Sequence, residues 1–177
     1  MIFMELFYFI SEYNKSEILT LNKEVNIIYR NYKRPPNEDT LKEILHTCRK
    51  ANRKLFLSNN MRLALKLKLD GVYLPSFNKS KYLRINYNAD FRIIGSAHNL
   101  SEIRTKEKQG VDTIFLAPVF KTKKNKKNLG IIKFNFLSKL TEKKVVALGG
   151  INEKNINKLN LLNCQGFAGI SYFKNKK

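Results

Sequence analysis

The sequence predicts a (β/α)₈ barrel, and three observations carry that reading. Eight apolar runs of strand length recur along the 177 residues. They are near-continuous in hydrophobicity rather than alternating, as strands buried on both faces of a parallel sheet are. Helix-like segments lie between several of them, which is the alternation of βαβ units. An open doubly wound sheet is the second architecture the pattern allows. The length suits one domain over residues 1–177, compact for a barrel, so some connections must be very short.

Taken in order, "ELFYFIS" (5–11) and "VNIIYR" (25–30) are the first two strands. "NEDTLKEILHTCRKA" (37–51) then puts Leu41, Ile44, Leu45 and Cys48 on one helical face. "KLFLSN" (54–59), the helix-like "MRLALKLKL" (61–69) and "GVYLP" (71–75) follow. Next come "FRIIGSA" (91–97), the helical "NLSEIRTKEKQ" (99–109) and "TIFLAPV" (113–119). The helical "FNFLSKL" (134–140) leads to "KVVALGG" (144–150), and "NEKNINKLNLL" (152–162) leads to "GFAGIS" (166–171). In 152–162, Asn152 with Glu153 supplies a helix N-cap and first-turn acid. After the last strand only "YFKNKK" remains, so the eighth helix is reduced to a turn or missing. The flank it would cover then calls for another cover, such as a second copy of the chain in a homo-oligomer. "RPPNED" (34–39) and "KTKKNKKN" (121–128) read as loops.

The opening "MIFMELFYFI" has no basic residues before it and no small-residue cleavage site after it, and it is too short to span a bilayer. A first strand in a cytoplasmic protein, with no membrane partner, is the expectation. Cys48 and Cys164 have no second cysteine or histidine at ligand spacing, so both read as free thiols. The net charge of +20, from 34 Lys and Arg against 14 Asp and Glu, would attract phosphorylated ligands or nucleic acid. The basic residues are spread along the chain, with no arginine-rich arm or interleaved aromatic motif, so nucleic acid is not the expected partner.

In a parallel barrel, function sits at the C-terminal ends of the strands. Those positions hold Ser11, Glu12, Arg30, Lys33, Asn59, Asn60, Ser76, Asn78, Ser96, His98, the lysine-rich loop 121–127, Gly149, Gly150 and Ser171. The set is polar, basic and short of carboxylates, which suits an anionic ligand better than a hard cation. Gly149–Gly150 is either a tight turn that needs positive φ or a place where bare backbone grips a phosphate; the loops after strands seven and eight often do the latter. His98 is either a hydrogen-bonded structural residue or a proton carrier. The lysine run is either a solvated loop or a mobile phosphate-gripping one.

"GVYLPSFN", "IIGSAHNLSEI", "GVDTIFLAPVFKTKKNKKNLG", "VVALGGINEKNI" and "GFAGIS", in this order, resemble the thiamine phosphate synthase/TenI family of barrel proteins. The resemblance runs from about residue 54 to 173. It implies an enzyme joining hydroxymethylpyrimidine diphosphate to thiazole phosphate, with release of pyrophosphate and help from Mg²⁺. Its TenI branch implies instead a thiazole tautomerase using a histidine, and a non-catalytic phosphate-ligand-binding barrel is the third possibility. By resemblance, Gly149 and Gly150, with Ile170 and Ser171, hold the thiazole phosphate. Thr122 matches the family's loop threonine, and Lys124 or Lys126 its pyrophosphate-contacting lysine. Ser96 and His98 match the strand-five motif, Arg30 the arginine ending strand two and Asn59 the asparagine ending strand three. The Mg²⁺-binding aspartates of synthases correspond to Asn60 and Asn78. Asparagine keeps a carbonyl oxygen but removes two formal charges, which weakens magnesium binding.

Overall fold

The computed structural model describes residues 4–22, 24–34, 37–80, 88–122 and 126–174. The eight apolar runs form eight parallel strands: β1 (Glu5–Ile10), β2 (Val25–Tyr29), β3 (Leu55–Ser58), β4 (Gly71–Leu74), β5 (Arg92–Ala97), β6 (Thr113–Leu116), β7 (Lys144–Leu148) and β8 (Gly166–Gly169). Each pairs with its sequence neighbour, and β8 pairs with β1 to close the barrel. Closure removes the open-sheet alternative, because no strand is left with an unpaired edge.

Along each strand, alternate residues point inward. The interior is filled by Phe7, Phe9, Ile28, Phe56, Tyr73, Ile94, Phe115, Val146 and Ala168. Five of these are aromatic, and they meet edge to face: Phe7–Phe115 at 5.0 Å, Phe9–Tyr73 at 5.1 Å and Tyr73–Phe115 at 5.7 Å between ring centroids. Such contacts add about 0.5–1.5 kcal/mol per pair beyond area burial. The outward residues, among them Ile27, Leu55, Val72, Ile114 and Val145, pack beneath the helices in a second layer with Ile18, Leu41, Ile44, Ile103 and Phe134.

One device repeats at the bottom of the barrel. The residue just before β4, β6 and β8 bonds the start of the preceding strand twice, once by backbone and once by side chain. Asp70 does so with Leu55, Asp112 with Ile93 and Gln165 with Val145. These double bonds pin the register, so that a one-residue slip would cost both bonds and turn each side chain to the wrong layer.

The helices are α1 (Lys15–Thr20), α2 (Glu38–Lys50), α3 (Met61–Lys66), α4 (Leu100–Lys108), α5 (Gly130–Ser138) and α6 (Ser171–Lys174). The first four begin alike, with Asn14, Asn37, Asn60 or Asn99 accepting a hydrogen bond from an amide in the first turn. α6 has four residues, the reduced final helix expected from sequence.

α1 is a helix that the apolar pattern did not single out. Two expectations need correction. α5 starts at Gly130, before Phe134. No α-helix starts at Asn152: the expected helix over 152–162 is a 3₁₀-helix over Ile156–Leu161. Asparagines there bind the backbone in competition with a helix. Asn152 Oδ1 accepts from the Lys154 amide, and Asn155 Oδ1 accepts from the Asn152 amide while its Nδ2 donates to the Gly150 carbonyl.

Candidate active site

The C-terminal mouth is floored by the aromatic interior. Arg30 follows β2, and its guanidinium lies over the Phe9 ring at 4.5 Å and near the Tyr32 ring at 5.9 Å. Tyr73, on the inward face of β4, has a phenol whose pKa burial raises and Ser96 and Arg30 draw down by less. Burial pushes the Tyr73 phenol up to about 12, so it stays a hydrogen-bonding group across the neutral range. Tyr73, whose phenol feels the sequence-derived candidates Arg30 and Ser96, is a mouth residue that motif reading missed. Its signal was present: in "GVYL", Tyr73 has the parity of an inward residue near a strand end.

On the β3–β4 side, Asn59 takes a left-handed conformation (φ 61°). Its amide donates to the Tyr73 carbonyl, and its Oδ1 accepts from Asn78 Nδ2 at 2.6 Å. Asn78 Oδ1 accepts from the Ser80 amide and from Gln109 Nε2. Asn60 Oδ1 accepts from the Leu63 amide as the cap of α3. The magnesium that the resemblance implies does not fit this donor set. The oxygens of Asn59, Asn60 and Asn78 are each committed to N–H donors, no carboxylate joins them, and no group of three or more His, Cys, Asp or Glu suited to a metal occurs among the described residues.

His98 follows β5, with its backbone N–H and ring Nδ1 both on Glu102 Oε2 at 2.8 Å. Glu102 also donates its amide to Asn99 Oδ1, a close relative of the capping box. The cap of α4 therefore orients the imidazole through Nδ1.

Across the mouth, Gly149 (φ 96°) and Gly150 (φ 74°) turn the chain after β7. Their carbonyls accept hydrogen bonds, from Phe120 and from Asn155 and Asn152. Among the described residues neither amide donates to a turn or cap bond. A Cβ on Gly149 would lie 2.8 Å from Pro118, and one on Gly150 would lie 2.5 Å from the carbonyl oxygens of Phe120 and Lys121. The glycines therefore let the loop after β6 close onto the loop after β7. Thr122 is half-buried on that loop and Lys126 is exposed, whereas Lys124 lies outside the described residues. Ile170 and Ser171 are exposed at the end of β8.

Sequence reasoning also missed Lys106. It is fully buried on α4, and desolvation lowers its ammonium pKa to about 8 against an opposing pull from Glu102. Tyr32 and Phe77, both exposed, meet edge to face at 5.5 Å on the rim. No described helix is long and apolar enough to cross a membrane.

Comparison with known proteins bears on this site. The family model described as thiamine monophosphate synthase matches residues 19–173. A thiamine-phosphate synthase of Prochlorococcus marinus subsp. pastoris is 38% identical over 142 residues, covering 76% of this chain and 40% of that protein. One from Pelotomaculum thermopropionicum is 34% identical over 137 residues, covering 73% and 62%. The chain thus spans less than two thirds of either relative. Among solved structures, thiamine phosphate pyrophosphorylase from Pyrococcus furiosus superposes with a TM-score of 0.71 at 22% identity, covering 94% of this chain and 85% of that one. FabK from Thermotoga maritima reaches the same score at 13% identity, covering 97% and 60%, so the structural likeness speaks for the barrel alone. The sequence match spans seven of the eight strands, among them the one that carries Ser96, and the loops that carry Arg30, His98 and the glycine turn, and the chain belongs to the thiamine monophosphate synthase family.

Proposed function

We propose that this barrel is a thiamine phosphate synthase, condensing hydroxymethylpyrimidine diphosphate with thiazole phosphate. The observation that supports the reading is that two parts of the mouth present groups suited to anions. One half presents the amides of Gly149 and Gly150 beside Ser171, suited to the thiazole phosphate. The other presents Arg30, held over the Phe9 ring, suited to the diphosphate.

In the reaction, the thiazole nitrogen forms a bond to the pyrimidine methylene carbon while the carbon–oxygen bond to diphosphate breaks. No proton moves in that step, so the protein's task is to hold two partners in line and stabilise charge on departing pyrophosphate. Arg30 is the fixed cation for that charge, and Lys121 and Lys126 are among the exposed cations on the loop after β6. The Tyr32–Phe77 pair gives the planar pyrimidine an apolar rim. No step is assigned to magnesium, because the asparagine set does not suit it.

A second reading, a thiazole tautomerase, draws on the His98–Glu102 pair, in which a carboxylate on Nδ1 leaves Nε2 to carry a proton. One experiment separates the two. The protein is incubated with both synthase substrates, with and without Mg²⁺, and separately with the thiazole carboxylate phosphate. Thiamine phosphate in the first mixture supports the synthase. Isomerisation alone, lost in His98→Ala, replaces it with the tautomerase.

A further inference from the structure

The loop after β4 is tied down by a cation that belongs to the chain. Lys106 Nζ donates to the Pro75 carbonyl (2.8 Å), the Asn78 carbonyl (2.9 Å) and Gln109 Oε1 (2.8 Å). Three ammonium protons meet three oxygens, so the group is satisfied although fully buried. Gln109, 6% exposed, turns its own Nε2 to the Asn78 carbonyl, Asn78 Oδ1 and the Ser80 carbonyl. Asn78 in turn holds Asn59. An unbroken chain of hydrogen bonds therefore runs from the inner face of α4 through the loop after β4 to the loop after β3. Gly95 makes room for it: a Cβ there would lie 2.9 Å from Lys106 Cδ. A glycine under the stem, a lysine with each proton placed and a glutamine bridging the same carbonyl make a built feature, not a side chain trapped by packing.

We propose that Lys106 and Gln109 are positioning residues that preorganise the diphosphate half of the mouth, so that its conformation does not depend on a divalent cation. A metal ion at such a site would order the loop by gathering oxygens around positive charge. Here the ammonium gathers the Pro75 and Asn78 carbonyls from behind, and the Asn59 and Asn78 side chains pair with each other. The proposal rests on the synthase reading only for which substrate is affected.

The test uses the full chain and Lys106→Met, which keeps the stem and removes the charge. In hydrogen–deuterium exchange, peptides covering 75–80 are expected to exchange about tenfold faster or more in the variant, the loss expected for hydrogen bonds to a charged donor, while peptides from β1 and β8 keep their rates. Affinity for inorganic pyrophosphate should fall, and if the enzyme turns over, KM for the pyrimidine diphosphate should rise with KM for thiazole phosphate unchanged. Adding MgCl₂ alone to the wild type should leave the 75–80 rates as they are. Magnesium protection of 75–80 in the wild type, or unchanged 75–80 exchange in the variant, would overturn the proposal. If Lys106→Met does not fold, Gln109→Leu carries the same local expectation at about threefold, since it removes the neutral Nε2 bonds and one of the three bonds to the ammonium, which keeps its two carbonyls. Exchange reads the clamp without turnover, so an inactive protein with the expected exchange pattern would overturn the synthase reading and leave the clamp standing.

Discussion

Asn78 donates its side-chain N–H to Asn59 Oδ1 at 2.6 Å, fastening the loop after β4 to the loop after β3 through two neutral amides. An aspartate at 78 has no donor at neutral pH and would set a carboxylate against that oxygen. Asn78→Asp alone is therefore expected to lower stability by about 1–3 kcal/mol, the cost of leaving such groups unpaired. The double variant Asn60→Asp/Asn78→Asp supplies two carboxylates, and its melting temperature should rise with added Mg²⁺ while that of the wild type does not. Calorimetry with and without MgCl₂ checks this, and a double variant blind to magnesium would mean that the two positions do not converge on one ion.

Tyr73→Phe separates the chemistry of the mouth from its packing. The ring contacts to Phe9 and Phe115 survive the change, so stability should move by no more than about 1 kcal/mol, one neutral hydrogen bond's worth. The mouth loses a phenol hydroxyl that interacts electrostatically with Arg30, and inorganic pyrophosphate should bind several-fold more weakly by isothermal titration. Unchanged affinity would remove Tyr73 from the site.

Much of the barrel was legible from sequence because strands buried on both faces carry unbroken apolar runs, and "TIFLAPV" or "KVVALGG" can be little else at that length. The 152–162 segment was not, since Leu159 and Leu162 fit a helical period while the asparagines around them bind backbone instead. Motif reading pointed to Arg30 and Ser96 because both lie at strand ends. It missed Lys106 because a lysine in "SEIRTKEKQG" looks like any solvated helix residue, and only the Gly95 notch in the neighbouring strand reveals where its stem goes. Asn60 and Asn78 were read as metal positions by resemblance; what the residues do locally, capping a helix and pairing loops, required the coordinates.

Alkaline pH should weaken the fold through Cys48. Burial pushes its thiol up to about 12 from 9.0, with Arg53 and Arg49 pulling it down and Asp70 pushing it further up. Between those values the folded chain keeps a proton that the unfolded chain has released, so stability falls as pH rises through that window. Tyr73 adds the same sign above 10.0. Lys106 has the opposite sign, because the unfolded lysine holds its proton longer, and stabilises as pH climbs from about 8 toward 10.5. Subtraction isolates the thiol: Cys48→Ala should show a shallower decline than the wild type above pH 9 in urea titrations at stepped pH. Parallel declines would mean that the thiol titrates normally.

Gly150 and Gly110 share a φ of 74° and differ in what surrounds them. Around Gly110 a Cβ would meet nothing within 4 Å, whereas at Gly150 it would sit 2.5 Å from two backbone carbonyl oxygens of the loop after β6. Gly110→Ala should therefore cost only the left-handed penalty for a residue with a Cβ, about 1–2 kcal/mol. Gly150→Ala adds a steric overlap with backbone that has no flexible end to swing away, and its loss should exceed the first by about 1–3 kcal/mol, as overpacking does. The loop carrying Lys121 and Thr122 would be pushed off the β7 turn, so phosphate affinity should fall with stability in Gly150→Ala and stay unchanged in Gly110→Ala. Chemical denaturation of the two variants, paired with inorganic phosphate titration, reads both effects. Equal stability losses and equal phosphate affinities would show that the glycine after β7 serves only its dihedral angle, and that the seating of one loop on the other contributes nothing to the site.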